Sequence, residues 1–216
     1  KPPKEAGLIT NGDFESGSVN ALKSSVSKMN VFNAGSGYGL NAHTYTGMIT
    51  ELNTDSQYAH SGDRSLKIAT DKNKAQQYIA IAPEAATEKH ATKDVYFCKN
   101  VASGTYTVKF YAKFVGSNTK LTLYSFDWST GNKLAEIKKS GLTPDANGWY
   151  CYETDVTVKA DGYLGIKIYI TAGNNVEEAV YIDDISILEK TETETEAALI
   201  TNGDFEEGTV STDVFG

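Results

Sequence analysis

Three stretches of this chain alternate so regularly that they leave little choice of fold. In Tyr106–Phe114 the residues Tyr106, Val108, Phe110, Ala112 and Phe114 share one face, and Thr107, Lys109, Tyr111 and Lys113 share the other. Lys120–Trp128 sets Leu121 and Leu123 against Thr122, Tyr124, Phe126 and Trp128. Tyr163–Thr171 sets Leu164, Ile166, Ile168 and Ile170 against Tyr163, Lys167, Tyr169 and Thr171. A period of two marks strands with one buried face, and no stretch sustains the 3.6-residue period of a helix. Turn signals such as Gly116-Ser117-Asn118, Asn147-Gly148 and Asp161-Gly162 separate the strands. The expected fold is all-β: a two-sheet antiparallel β-sandwich packed on its aliphatic faces, with loops and short strands over Val19–Ser56.

The segment Leu8–Gly17, LITNGDFESG, returns at Leu199–Gly208 as LITNGDFEEG, with Ser16 against Glu207 as the one difference. A spacing of roughly 190 residues is far beyond that of a solenoid and fits tandem copies of a whole domain. The expected organisation is an extension at 1–5, a module at 6–188, an acidic linker at 189–197 and the start of a second module at 198–216. The net charge of −8 belongs mostly to the tail: from Glu189 onward eight acids face Lys190 alone, a net of −7, which leaves −1 for the module. Without a field of lysine and arginine to hold phosphates, nucleic acid is an unsuitable partner. No run of about 18 apolar residues is present to insert in a membrane. Cys98 and Cys151 permit one disulfide without requiring it.

In order along the chain come N-G-D-F-E-x-G at the opening, AHSGDRSLKI at Ala59–Ile68, GTYTVKFYAK at Gly104–Lys113, GWYCY at Gly148–Tyr152 and VYIDDISIL at Val180–Leu188. This series resembles the galactose-binding-like jelly rolls, and among them the carbohydrate-binding modules of families four, nine, sixteen and twenty-two that accompany xylanases and other glycan-degrading enzymes. The resemblance implies non-catalytic binding of a polysaccharide or oligosaccharide, a β-linked plant glycan such as xylan. It also implies a secreted or cell-surface protein, with the second module and a catalytic domain covalently linked. A structural or adhesive jelly roll on a surface protein is the alternative. Two departures stand out: no tryptophan follows Gly17, and about twenty extra residues around Ala82–Asp94 interrupt the chain before the Tyr106 strand.

The aromatic faces carry the binding chemistry. Same-face side chains on a strand are about 6.6 to 7 Å apart, close to the repeat of sugar rings in a β-linked polymer. A ring that shields about 60 Å² of apolar sugar surface contributes roughly 1.5 kcal/mol. Tyr124, Phe126 and Trp128 are the leading candidates, with Tyr78, Tyr111 and Tyr169 added by strand phase and Gln76 and Lys109 as hydrogen-bond donors. The bland alternative is that these rings merely cover a sheet beneath loops. Trp149, at the head of a strand, is expected to pack structurally. Asp183 shares its phase with Ile185 and Ile187, so it is expected on the core side with Asp184 pointing away, and a buried acid needs a partner. The resemblance implies a structural calcium held by Glu15 and Asp183 through their side chains and by Asp13, Ser61 and Arg64 through backbone or hydroxyl oxygens. A salt bridge from Asp183 to Arg64 or a nearby lysine is the alternative. No nucleophile elbow, zinc-binding or P-loop motif is present.

Overall fold

The computed structural model describes residues 7–22, 28–32, 38–84, 86–90 and 95–190, the side chains of Thr44 and of 86–89 excepted. The second copy of the opening motif and nearly all of the acidic linker lie outside the described residues. Among the described residues there is no α-helix, and thirteen strands form two antiparallel sheets. The strands are β1 (Met29–Phe32), β2 (Leu40–Thr46), β3 (Ile49–Asn53), β4 (Ser65–Ala69), β5 (Gln77–Pro83), β6 (Ala86–Lys89), β7 (Tyr96–Cys98), β8 (Gly104–Val115), β9 (Lys120–Phe126), β10 (Lys133–Lys138), β11 (Trp149–Val158), β12 (Leu164–Ala172) and β13 (Ala179–Glu189).

One sheet has five strands in the order β11-β8-β13-β4-β3. The other has eight and centres on β12. Strand β9 runs along one edge of β12, while β5 and then β7 follow each other along the opposite edge. The all-β sandwich is therefore what the alternation predicts. Leu121, Leu123, Ile166, Ile168 and Ile170 of one sheet and Val108, Phe110, Ala112 and Ile182 of the other are all buried in a single core. Phe110 and Tyr152 stack there at 4.9 Å, and the Tyr152 hydroxyl donates across the core to the Leu121 carbonyl at 3.3 Å.

The opening motif is a structural latch. Its Gly12 lies so close to β13 that an added Cβ would be 1.9 Å from the Ile185 carbonyl oxygen, so only glycine permits this approach. Ile185 N–H donates to the Gly12 carbonyl at 2.9 Å, and fully buried Phe14 packs on Phe32 at 4.9 Å.

Strand β13 departs from the expected phase. Asp183 pairs with Tyr111, but the next pair is Ser186 with Lys109, so one extra residue is inserted. The insertion is a β-bulge with Asp184 in the left-handed region at φ 51. Asp183 thus belongs to the outer phase with Tyr181, while Ile185 and Ile187 return to the core. Cys98 is buried in the core of the eight-stranded sheet, Cys151 lies on the outer face of the five-stranded sheet opposite Tyr111, and both are free thiols. Among the described residues no helix is long and apolar enough to cross a membrane.

Candidate functional site

The eight-stranded sheet turns its non-core residues outward in register. Tyr78 of β5 faces Thr171 of β12, which faces Lys120 of β9. In the next row come Ala80, Tyr169, Thr122 and Lys138, and then Lys167, Tyr124 and Glu136. Tyr78, Tyr169 and Tyr124 therefore form a diagonal across three neighbouring strands, each partly exposed. The Tyr78 and Tyr169 rings are 6.5 Å apart. Small, buried Ala80 is the cross-strand neighbour of Tyr169. Lys167 completes the group, its Nζ 5.6 Å from the Tyr124 and Tyr169 ring centres. A cavity of about 790 Å³ adjoins the rings, bordered by Tyr124, Tyr150, Tyr169, Lys120, Lys138 and Lys139.

The other end of the same face is closed. Phe97 of β7 and Val95 just before it pack on Phe126 and leave it 8% exposed. Trp128 stacks on Tyr163 at 4.6 Å, and its Nε1 is buried without a hydrogen-bond partner. Phe126, expected as an open platform, is instead a covered one, and β6, within the extra residues of Ala82–Asp94, pairs with the β7 strand that carries Phe97. Asp94 and 91–93 lie outside the described residues. The signal for this cover was Gly165 inside a strand, a mark of close approach. An added Cβ there would be 2.8 Å from the Phe97 ring and 2.5 Å from the Phe126 carbonyl oxygen.

Tyr111 and Lys109 require a second correction, because they lie on the five-stranded sheet and cannot share a cleft with Tyr124. On that outer face the rings are occupied by one another. Tyr58 stacks on Tyr181 at 4.4 Å, His60 stacks on Tyr111 at 3.6 Å, and Trp149, 4% exposed, meets His60 edge-on at 5.4 Å. Lys109 is paired with Glu153 at 3.0 Å. Gln76 is exposed just before β5, in phase with Tyr78. Lys167, Thr122 and Thr171 complete the open diagonal, and their strand phase was the signal that could have placed them there.

Four of the five expected calcium positions meet at the turn 60–64. Glu15 Oε1 accepts from the N–H groups of Asp63 and Arg64, each at 3.0 Å. Asp183 is fully buried, and its carboxylate accepts from the backbone N–H groups of His60 at 2.7 Å, Ser61 at 3.2 Å and Asp184 at 2.7 Å. Arg64 donates to the carbonyls of Glu15 and Gly17 and not to Asp183, so the alternative Asp183–Arg64 salt bridge is absent. Because of the bulge, Asp184 reaches the same turn and accepts from Ser61 Oγ at 2.8 Å, with His60 Nδ1 at 2.6 Å. Burial, with the Asp184 charge added, pushes the Asp183 carboxyl up to about 7. Among the described residues no basic side chain pairs with Asp183. The donor set is all oxygen and one buried acid lacks a countercharge, which fits a hard cation such as calcium. No trio of acidic, histidine or cysteine side chains surrounds a metal position among the described residues, so such an ion would depend on backbone oxygens.

No protein-family model and no curated protein sequence matches the chain. Similar solved structures include a family 61 carbohydrate-binding module in complex with β-1,4-galactotriose, at 15% identity over 86% of this chain and 100% of that one, with a TM-score of 0.49. They also include the family 11 carbohydrate-binding module of a cellulosomal cellulase of Clostridium thermocellum, at 14% identity over 88% and 99% with a TM-score of 0.40. A third is the enzymatically active domain of a bacteriophage CBA120 tailspike protein, at 14% identity and a TM-score of 0.46. The match covers 85% of this chain and 21% of that one. Carbohydrate-binding modules recur among these structures.

Proposed function

We propose that the module is a non-catalytic carbohydrate-binding domain whose platform is Tyr78, Tyr169 and Tyr124, for a β-linked plant polysaccharide such as xylan. The observation that carries this reading is the diagonal of three partly exposed tyrosines across three strands, with Tyr78 and Tyr169 at about the spacing of successive sugar rings and a cavity of ligand size beside Tyr169 and Tyr124. Stacking of sugar C–H faces supplies affinity, while Lys167, Thr122 and Thr171 donate to and accept from hydroxyls. Three platforms at roughly 1.5 kcal/mol each, with a few hydrogen bonds, correspond to affinities of about 10 to 100 μM. On the tyrosine rows the described carboxylate is Glu136. The Lys133 and Lys138 ammonium groups beside it hold it below its ordinary range, which suits an ion pair better than a proton donor. In a secreted or surface-attached protein with a linked hydrolase, such a module raises substrate concentration around the catalytic domain.

A second element of the proposal is a calcium ion at the turn 60–64. Glu15 and Asp183 would hold it by side chain, and Asp13, Ser61 and Arg64 by backbone or hydroxyl oxygens. Bound there, the ion supplies the countercharge that Asp183 lacks and ties the opening motif to β13. Affinity electrophoresis against a polysaccharide panel tests the binding reading. Retardation by β-linked glycans without release of reducing sugar is expected, and no retardation by any glycan contradicts it.

A further inference from the structure

The charge around the tyrosines is one-sided. Lys120, Lys133, Lys138, Lys139 and Lys167 lie on the side of Tyr124 and Tyr169, and among the described residues three of these lysines and no aspartate or glutamate border the cavity. Among the described residues the acids beside these lysines are two, Glu136 and Glu178. Glu136 pairs with Lys133 and Lys138, and Glu178 turns inward to accept from Ser117, Asn118 and Thr119. This concentration is set against a module whose lysines, arginines and acids nearly balance. Lysines on an edge strand such as β10 serve to block sheet-to-sheet pairing. That account does not reach Lys167, which lies on central β12 between β9 and β5.

We infer that the ligand is an anionic glycan, its sugar rings stacked on Tyr78, Tyr169 and Tyr124 and its acid groups met by Lys167, Lys120 and Lys138. The inference rests on the carbohydrate-binding reading and narrows it to chains bearing carboxylate or sulfate substituents. Exposed pairs contribute a factor of about two each, so three acid contacts amount to about tenfold. They weaken with salt, because ions at about 0.5 M screen over a few ångströms.

The test is a calorimetric titration of the module with glucuronoxylan, with the same polymer after carboxyl reduction, and with a sulfated galactan, at about 0.02 M and about 0.5 M salt. The expected result is about tenfold tighter binding of the acidic polymer than of its reduced form, with the gap narrowing at high salt and in Lys120→Gln/Lys138→Gln. Tighter binding of the sulfated galactan than of glucuronoxylan supports the inference with sulfate as the group. Equal binding of the acidic and reduced polymers overturns it and leaves the carbohydrate-binding reading standing. Undiminished glucuronoxylan binding by Tyr169→Ala overturns it as well, since charge would then act away from the rings. If no glycan binds, both readings fail.

Discussion

The two outer faces of the sandwich use the same kinds of residue to opposite ends. On the five-stranded sheet, Tyr58, Tyr181, Tyr111, His60 and Trp149 pack ring on ring, and the turn after β3 closes over them. On the eight-stranded sheet, Tyr78, Tyr169 and Tyr124 stay partly exposed, with Tyr124 stacked on Phe126 at 5.8 Å, while two residues along β9 the chain covers Phe126 itself. Aromatic content alone therefore does not mark a ligand face. What distinguishes the open end is the small or polar neighbours Ala80, Thr122 and Thr171 beside Tyr78 and Tyr169, where the closed regions pack ring on ring.

That contrast can be broken by mutation. The largest effects belong to the closed regions. Trp149→Ala and Phe126→Ala each remove a nearly buried ring and should cost about 3 kcal/mol or more by denaturant unfolding. Glycan affinity of folded Trp149→Ala should match the parent, and a selective loss of affinity would move the site to the five-stranded sheet. Next comes the turn 60–64. Calcium at 100 times its dissociation constant should add about 2.7 kcal/mol, read as a melting temperature that falls in chelator and recovers with calcium. A midpoint indifferent to chelator removes the ion from the account.

Gly165→Ala sharpens the boundary between the open and closed ends. Its methyl group would collide with the Phe97 ring and the Phe126 carbonyl, so a loss of about 1 to 3 kcal/mol is expected. Full stability in this variant would mean that the cover over Phe126 is loose. The smallest effect is acid-dependent. Burial raises the Glu178 carboxyl, but hydrogen bonds from Asn118 and Thr119 outweigh it and hold the group down at about 2. A depressed carboxyl stabilises the fold above its unfolded value of about 4.3, and the contribution fades as pH falls toward 2. Glu178→Gln should cost about 1 kcal/mol at neutral pH and flatten the acid limb of the stability profile.

Strand phase made much of this legible in advance. The inward rows of β8, β9 and β12 fall where alternation puts them, because a period of two fixes inside and outside. It does not say which sheet a strand joins, and this is why Tyr111 and Tyr169, identical in phase, lie on opposite faces. Nor does it survive a bulge: the left-handed Asp184 reverses the phase of β13 and sends Asp183 outward, to burial under a turn. The cover over Phe126 comes from a distant strand, and its one local mark is Gly165 inside β12.

The central claim is that the open diagonal is the platform and the stacked face is not. Glycan titration of Tyr169→Ala beside Tyr111→Ala, both at a temperature where each variant is folded, tests it most directly. The account predicts about tenfold weaker binding for Tyr169→Ala, the loss of one stacked ring, and parental affinity for Tyr111→Ala. Parental affinity in Tyr169→Ala, or a loss confined to Tyr111→Ala, would contradict it.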